Sequence, residues 1–303
     1  MGDPSVRWVL ALAWLGMLGG CATDLPRSGP ACALSELGQV PVVYRAQVPF
    51  VQVMINGGAA VAMLDTGSAI TVLSPAAATR LGVPGTALVP LRLQGAAGRA
   101  SAPPVALETI TLGRFTIHGL LAVLVPLPIR GLDTLFGYNM LDQFEMELDG
   151  PARRLTLYRH RPCSGMVPDG AGWERLPITA AGHHLRLPIA VNGVTLTATL
   201  DTGATRTQLT AAAAARAGVA AETLTAAPLI RTEAVGPDVA QVREVKVTRL
   251  GVGDAVLDGP VLHVGELPEQ TGDALLGGDF LATRRVWFAL GRGEVWIPNR
   301  VKK

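Results

Sequence analysis

The sequence predicts a mostly β protein made of two copies of one module in a chain of 303 residues. Three observations carry that expectation. Shifted against itself by 136 positions, the chain aligns Val40–Val83 with Leu176–Val219 without a gap, and 16 of the 44 pairs are identical, which marks an internal duplication. Each copy contains an extended, β-branched run that turns at Asn56-Gly57 or Asn192-Gly193, a dipeptide suited to the positive φ angles of a tight hairpin. Both returning strands then reach the same tripeptide, Asp65-Thr66-Gly67 and Asp201-Thr202-Gly203.

In chain order, the N-terminus reads as a targeting segment. Arg7 precedes an apolar run from Trp8 to Leu18, and small residues lead to Cys21. The run is too short to cross a bilayer as a helix. Residues 1–20 are therefore expected to be a signal peptide. Leu18-Gly19-Gly20-Cys21 resembles the bacterial lipobox, which implies acylation of Cys21 and an exported, lipid-anchored protein. Ala22 in place of Asp is similar to the outer-membrane sorting pattern, facing the periplasm of a Gram-negative bacterium. An ordinary signal peptide with an incidental cysteine is the other reading. Residues 21–38, rich in Pro, Gly and Ser, read as a tether.

The first lobe is expected over residues 39–158, a Pro/Gly-rich linker over 159–172 and the second lobe over 173–300. Within each lobe the strand ending at the Asp is followed by a short apolar run and a capped helix. Ser74 is placed as N-cap, Pro75 as the first helical residue and Gly82 as the stop; Thr210, five alanines from Ala211 and Gly218 repeat the pattern. Further on the offset drifts to 138, matching Leu112-Gly113 with Leu250-Gly251 and Gly98 with Gly236. It then reaches 140, matching Asp133–Gly137 with Asp273–Gly277.

Two Asp-Thr-Gly-Ser/Ala segments, each followed late in its lobe by two apolar residues and Gly, resemble the aspartic peptidases, specifically the retropepsin-like group fused as two lobes in one chain. The resemblance runs from about Val40 to Ile297. It implies a duplicated acid-protease fold, with two β-rich lobes and short helices related by a pseudo-twofold axis. It also implies that Asp65 and Asp201 are the catalytic pair. Thr66, Gly67, Ser68, Thr202, Gly203 and Ala204 would be their supports, with the threonine hydroxyls reaching the opposite lobe and Ser68 adding a hydroxyl to its Asp where Ala204 has none. A ψ-shaped loop is implied at Phe136-Gly137 and Leu276-Gly277. Flaps are implied near Gly95–Arg99, with Gly95 and Gly98, and near Ala234–Asp238, with Gly236. Pepsin-like flaps carry a tyrosine, whereas Tyr44, Tyr138 and Tyr158 all lie outside both segments.

The implied chemistry is peptide hydrolysis. Two carboxylates about 3 Å apart repel by on the order of 5 kcal/mol at an effective dielectric of 20, which holds one proton in the pair. That shared proton is the known behaviour of aspartic proteases and comes with the resemblance. One Asp then acts as base toward a water and the other as acid toward the carbonyl. The expected substrate is a peptide in extended conformation, the enzyme is expected to work as a monomer, and no cofactor beyond the catalytic water is expected. A non-catalytic lipoprotein that holds a peptide in the same cleft is the alternative.

Other functions find little support. A net charge of +2 with scattered arginines gives no basic stripe for nucleic acid. Five dispersed histidines show no metal-ligand spacing; His183 and His184 are expected on opposite faces of a strand. Asp133, Asp142, Asp149, Asp273 and Asp279 are read as structural. Cys32 and Cys163, one in each linker, either pair as a disulfide in an oxidising compartment or remain two thiols.

Overall fold

The computed structural model describes residues 34–95, 98–159, 172–232 and 240–299. The signal peptide, Cys21, Cys32, Cys163 and Gly236 lie outside the described residues.

In the first half, β1 (Glu36–Pro41) leads to β2 (Val43–Arg45), β3 (Val48–Ile55) and β4 (Gly58–Leu64). The strand β5 (Thr71–Leu73) and helix α1 (Pro75–Arg80) follow, then a ribbon of β6 (Leu91–Gly95) and β7 (Gly98–Ala102). A long hairpin of β8 (Pro104–Leu112) and β9 (Phe115–Leu124) precedes β10 (Thr134–Phe136), α2 (Tyr138–Leu141), β11 (Glu145–Asp149) and β12 (Arg154–Tyr158).

The second half opens with β13 (Trp173–Arg175), β14 (Thr179–Ala181), β15 (His184–Val191) and β16 (Val194–Leu200). Next come β17 (Gln208–Leu209), α3 (Ala211–Arg216) and α4 (Ala221–Ala226), the last without a counterpart in the first half. They lead to β18 (Leu229–Thr232), β19 (Ala240–Lys246), β20 (Arg249–Val252), β21 (Ala255–Asp258) and β22 (Val261–Gly265). The chain closes with β23 (Ala274–Leu276), α5 (Gly278–Leu281), β24 (Arg285–Ala289) and β25 (Glu294–Pro298).

Local chemistry accounts for the shared parts. Asn56 and Asn192 sit at φ 49° and 50°, ahead of Gly57 and Gly193 at 78° and 86°, so both hairpins use the mirror-image turn whose twist matches the strands. Ser74 Oγ accepts from the Ala77 amide and Thr210 Oγ1 from the Ala213 amide, capping α1 and α3 alike. Each helix then buries two adjacent alanines, Ala77 and Ala78 or Ala213 and Ala214. Side chains that small let a six-residue helix lie close to the sheet.

The fold is a duplicated, mostly β acid-protease fold. The first lobe's sheet runs β2-β3-β4-β10-β5-β9-β8 and closes on itself through β3 and β8. The second runs β18-β19-β22-β17-β23-β16-β15-β20-β21, with β14 beside β15. Its longer hairpin is split where the first lobe's is continuous. Pro260 lacks an amide hydrogen for a strand ladder, and Gly259 at φ 64° turns the chain just before it. The pairings also revise the repeat. Leu112 pairs with Phe115 around Gly113, and Val252 pairs with Ala255 around Gly253. Gly113 therefore corresponds to Gly253, and the expected match to Gly251 is two residues out of register.

The lobes are not separate bodies. A third sheet, ordered β1-β12-β11-β24-β25-β13, takes strands from both halves, with Leu148 opposite Val286 at the junction. Its first strand starts at Glu36, inside the stretch expected to be tether. It carries charge: the buried Arg292 pairs with Glu145 and Glu294, and the part-exposed Arg285 with the buried Glu147. Trp287 and Phe288 are fully buried in the same strand.

Gly150 marks the tightest point of this junction. Its amide donates to the Arg284 carbonyl, and a Cβ there would overlap the backbone carbonyl of Ala282. Backbone on the other half cannot swing away as a side chain would. Gly150→Ala is expected to cost about 1–3 kcal/mol, read as a lower melting temperature; an unchanged melting temperature would show that the junction is looser than its geometry.

Candidate active site

Each Asp-Thr-Gly turn is held by the strand that crosses beneath it. β10 lies between β4, to which it runs parallel, and β5, to which it is antiparallel. The Asp65 amide donates to the Phe136 carbonyl at 3.0 Å, and the Asp201 amide to Leu276 at 3.0 Å. Glycine is required just after these carbonyls. A Cβ on Gly137 would come within 2.6 Å of the Ile70 backbone, and one on Gly277 within 2.5 Å of the Arg206 backbone. Below them Asn139 and Asp279 play one part in the two halves. Asn139 Oδ1 accepts from the Thr71 amide and hydroxyl; Asp279 Oδ1 accepts from the Thr207 amide and hydroxyl.

The two turns meet through crossed threonines. Thr66 Oγ1 donates to the Leu200 carbonyl at 3.0 Å and accepts from the Thr202 amide at 3.1 Å. Thr202 Oγ1 donates to the Leu64 carbonyl at 2.8 Å and accepts from the Thr66 amide at 3.0 Å. Both threonines are 1 % exposed, so water cannot replace these bonds.

That interlock puts the two carboxyl groups face to face. Each lies against the other's turn: a Cβ on Gly67 would lie 2.5 Å from Asp201 Cγ, while one on Gly203 would lie 2.5 Å from Asp65 Cγ. Any side chain at either glycine would push the opposite carboxyl out of place. Asp65 Oδ1 accepts from the amides of Gly67 and Ser68, and Asp201 Oδ1 from those of Gly203 and Ala204. Burial raises both above the usual carboxylate range, and the charge of Asp201 lifts Asp65 well above it.

The expected role of Ser68 needs correction. Its hydroxyl donates to the Ile70 carbonyl at 3.0 Å, so only its backbone amide supports Asp65. Ser68 and Ala204 thus serve their carboxylates in the same way. The first flap segment is the ribbon of β6 and β7, in which Gly95 pairs with Gly98. Its counterpart rises from β18 and β19, and the segment 233–239 between them lies outside the described residues. Asp133 and Asp273 repeat one structural job. Each accepts a backbone amide, of Val61 or Thr197, and pairs with the arginine ending the nearby helix, Arg80 or Arg216.

Sequence reasoning passed over residues beside the carboxyl pair. A cleft of about 400 Å³ next to Gly203 is lined by Arg45, Phe50, Arg206, Arg231, Glu244 and His263. The available signal was in the 136-residue alignment, which sets Arg206 against Ile70. A second cavity, of about 350 Å³, lies at Pro151, Arg285 and Pro298, away from both aspartates.

Replacing one threonine would leave a buried amide and a buried carbonyl on the other half without partners. Thr66→Val and Thr202→Val are each expected to destabilise the chain by about 1–3 kcal/mol, measured by denaturant unfolding. The double variant should lose less than the sum, because once one threonine's bonds are gone the turns can part and the other's are already weakened; strict additivity would mean that the two threonines do not act as one lock.

No curated protein sequence matches the chain. Among solved structures, a retropepsin-like aspartic protease from Rickettsia conorii is 19 % identical over 42 % of this chain and 94 % of its own, with a TM-score of 0.34. The family model described as aspartyl protease matches residues 51–140 and again residues 187–280, each match taking in one Asp-Thr-Gly turn and the crossing strand beneath it. With more than half of the chain so matched, this protein belongs to the aspartyl protease family.

Proposed function

We propose that the chain is an endopeptidase in which Asp65 and Asp201 together activate a water against a peptide carbonyl. The observation that carries this reading is the half-buried pair of carboxyls, each packed against the glycine of the other's turn, where no side chain would fit. Burial disfavours charge on either group, and two adjacent negative charges disfavour it further, so the pair holds one proton. Both carboxyls are pushed up and titrate as one pair; with the proton on Asp65, Asp201 is the ionised partner. In the proposed step Asp201 takes a proton from the water as its oxygen attacks the carbonyl carbon. Asp65 gives its proton to the carbonyl oxygen. As the diol collapses and the C–N bond breaks, one diol hydroxyl returns its proton to Asp65 to leave the carboxylic acid, and the amine departs with the proton held by Asp201.

Asp65→Asn and Asp201→Asn are each expected to abolish hydrolysis of a peptide library while the protein remains folded. Near-normal turnover by either variant would remove the assignment. A wild type that binds extended peptides without cleaving them would favour the non-catalytic reading instead.

The same variant reports on the proton. A carboxyl whose folded-state value is raised keeps its proton in the folded chain at pH values where the unfolded chain has lost it. Stability therefore falls as pH rises from the ordinary carboxylate value of 3.8 toward the raised one. Asp65→Asn lacks that loss. It should melt higher than the wild type at neutral pH, with the advantage fading as pH falls toward 3.8; an advantage independent of pH would show that the pair does not hold a raised proton.

Both aspartates come from one chain, which supports activity as a monomer. A soluble form beginning after Cys21 is expected to show specific activity independent of protein concentration. Activity that rises with a dimer in sedimentation would count against it.

A further inference from the structure

The cleft beside Asp201 differs from its pseudo-symmetric counterpart in a way that the duplication makes measurable. Gly137 abuts the Ile70 backbone as Gly277 abuts that of Arg206, so Ile70 and Arg206 occupy matching positions. Val72 pairs with Val123, and Gln208, 136 residues after Val72, pairs with His263. Val123 in turn faces Pro104, and His263 faces Glu244. Three matching wall positions are therefore Ile, Val and Pro in one half and Arg, His and Glu in the other.

On the first side these residues belong with apolar neighbours: Val123 is fully buried in a cluster with Phe50, Val72 and Leu135, against which Ile70 and Leu93 pack. On the second side charge is left over. The cleft brings together Arg45, Arg206 and Arg231 against the single carboxylate of Glu244. Glu244 is shared, lying 3.9 Å from Arg206 Nε and 3.8 Å from His263 Nε2. Burial, with the nearby Arg206, holds the His263 imidazole below its ordinary value, so it contributes no charge at neutral pH. Arg206 spends one further contact, at 3.4 Å, on the Val261 carbonyl. Arg231 makes no ion pair among the described residues, and Arg45 lies over the Phe50 ring with one contact of 3.4 Å to the Arg130 carbonyl. A guanidinium has five N–H donors arranged to grip a carboxylate by two at once. Among the described residues most of those donors are unspent.

We infer that this cleft is a subsite for an acidic side chain, and that the protease selects extended peptides with Asp or Glu on the side of the scissile bond that lies against Arg206 and Arg231. The inference rests on the endopeptidase reading above. Apolar residues would be preferred on the other side, against Ile70 and Leu93. A site built to bind a charged group discriminates strongly against a neutral replacement, because its own charges are then left without a partner.

Cleavage-site profiling of the wild-type protein with a proteome-derived peptide library is the first test and needs no variant. Enrichment of Asp and Glu at one position on one side of the cut is expected; a profile without acidic enrichment overturns the inference, whereas a protein that cuts nothing overturns the endopeptidase reading itself. For a peptide pair differing by Glu against Gln at that position, the ratio of kcat/KM is expected to be about 10-fold or more in favour of Glu. Arg206→Ile, which installs the first half's own residue, should bring that ratio close to one, and Arg231→Glu should turn the profile toward Lys and Arg. The wild-type ratio should also shrink below about pH 4, where the peptide's carboxyl takes up a proton, a dependence that a purely structural Arg206 would not produce. Ratios unchanged in both folded variants would overturn the assignment of the two arginines.

Discussion

The structure depends on the requirement that two Asp-Thr-Gly turns, 136 residues apart, meet at van der Waals distance. The crossed threonine bonds meet it. Each hydroxyl both donates to and accepts from the opposite backbone, so two turns share four hydrogen bonds with nothing exposed to water. In so buried a place an unmade bond costs more than a made one contributes. The contact is thereby all or nothing, and the position of each carboxyl follows from it. The glycines are the complementary constraint, since a single Cβ on either turn would occupy the space of the other turn's carboxylate.

Two further features hold the halves at that separation. The crossing strands beneath the turns fix each Asp by its own amide, and the shared sheet ties the lobes together well away from the cleft. Buried ion pairs across this sheet, such as Arg292 with Glu145, link a residue of one half to a residue of the other. Such pairs add little net stability over an apolar contact, but removing one member is costly. Their effect here is on register: charges that must find each other permit one alignment of the halves.

Duplication produced a near-symmetric frame, and divergence then used it unequally. The capping residues, turns and crossing strands are repeated because backbone geometry demands them in both halves. Asn139 and Asp279 show how a structural position can change residue while keeping its bonds. The cleft walls face open space and not each other, so nothing in the frame forces them to match. That freedom is where the charged side beside Asp201 arose, opposite an apolar one.

Much of this was legible in the sequence because it is local or repeated. The Asn-Gly hairpins, the Ser74 and Thr210 caps and the strand-ending Asp turns depend on neighbours a few residues away. A repeat with fixed spacing then placed two such turns in equivalent settings, which is enough to indicate a two-lobed β fold. What the sequence could not give depends on pairing across long separations. The shared sheet joins Met146 to Phe288, and neither segment carries a mark of its partner. The shift of Gly113 to Gly253 was hidden because a strand register is set by hydrogen bonding and not by residue identity. Ser68 could have donated to its own Asp, yet its hydroxyl turns to Ile70 because the carboxylate is already served by two amides. The arginines of the cleft are far apart in the chain, at positions 45, 206 and 231, and only the packing of one lobe against the other makes them one charged surface.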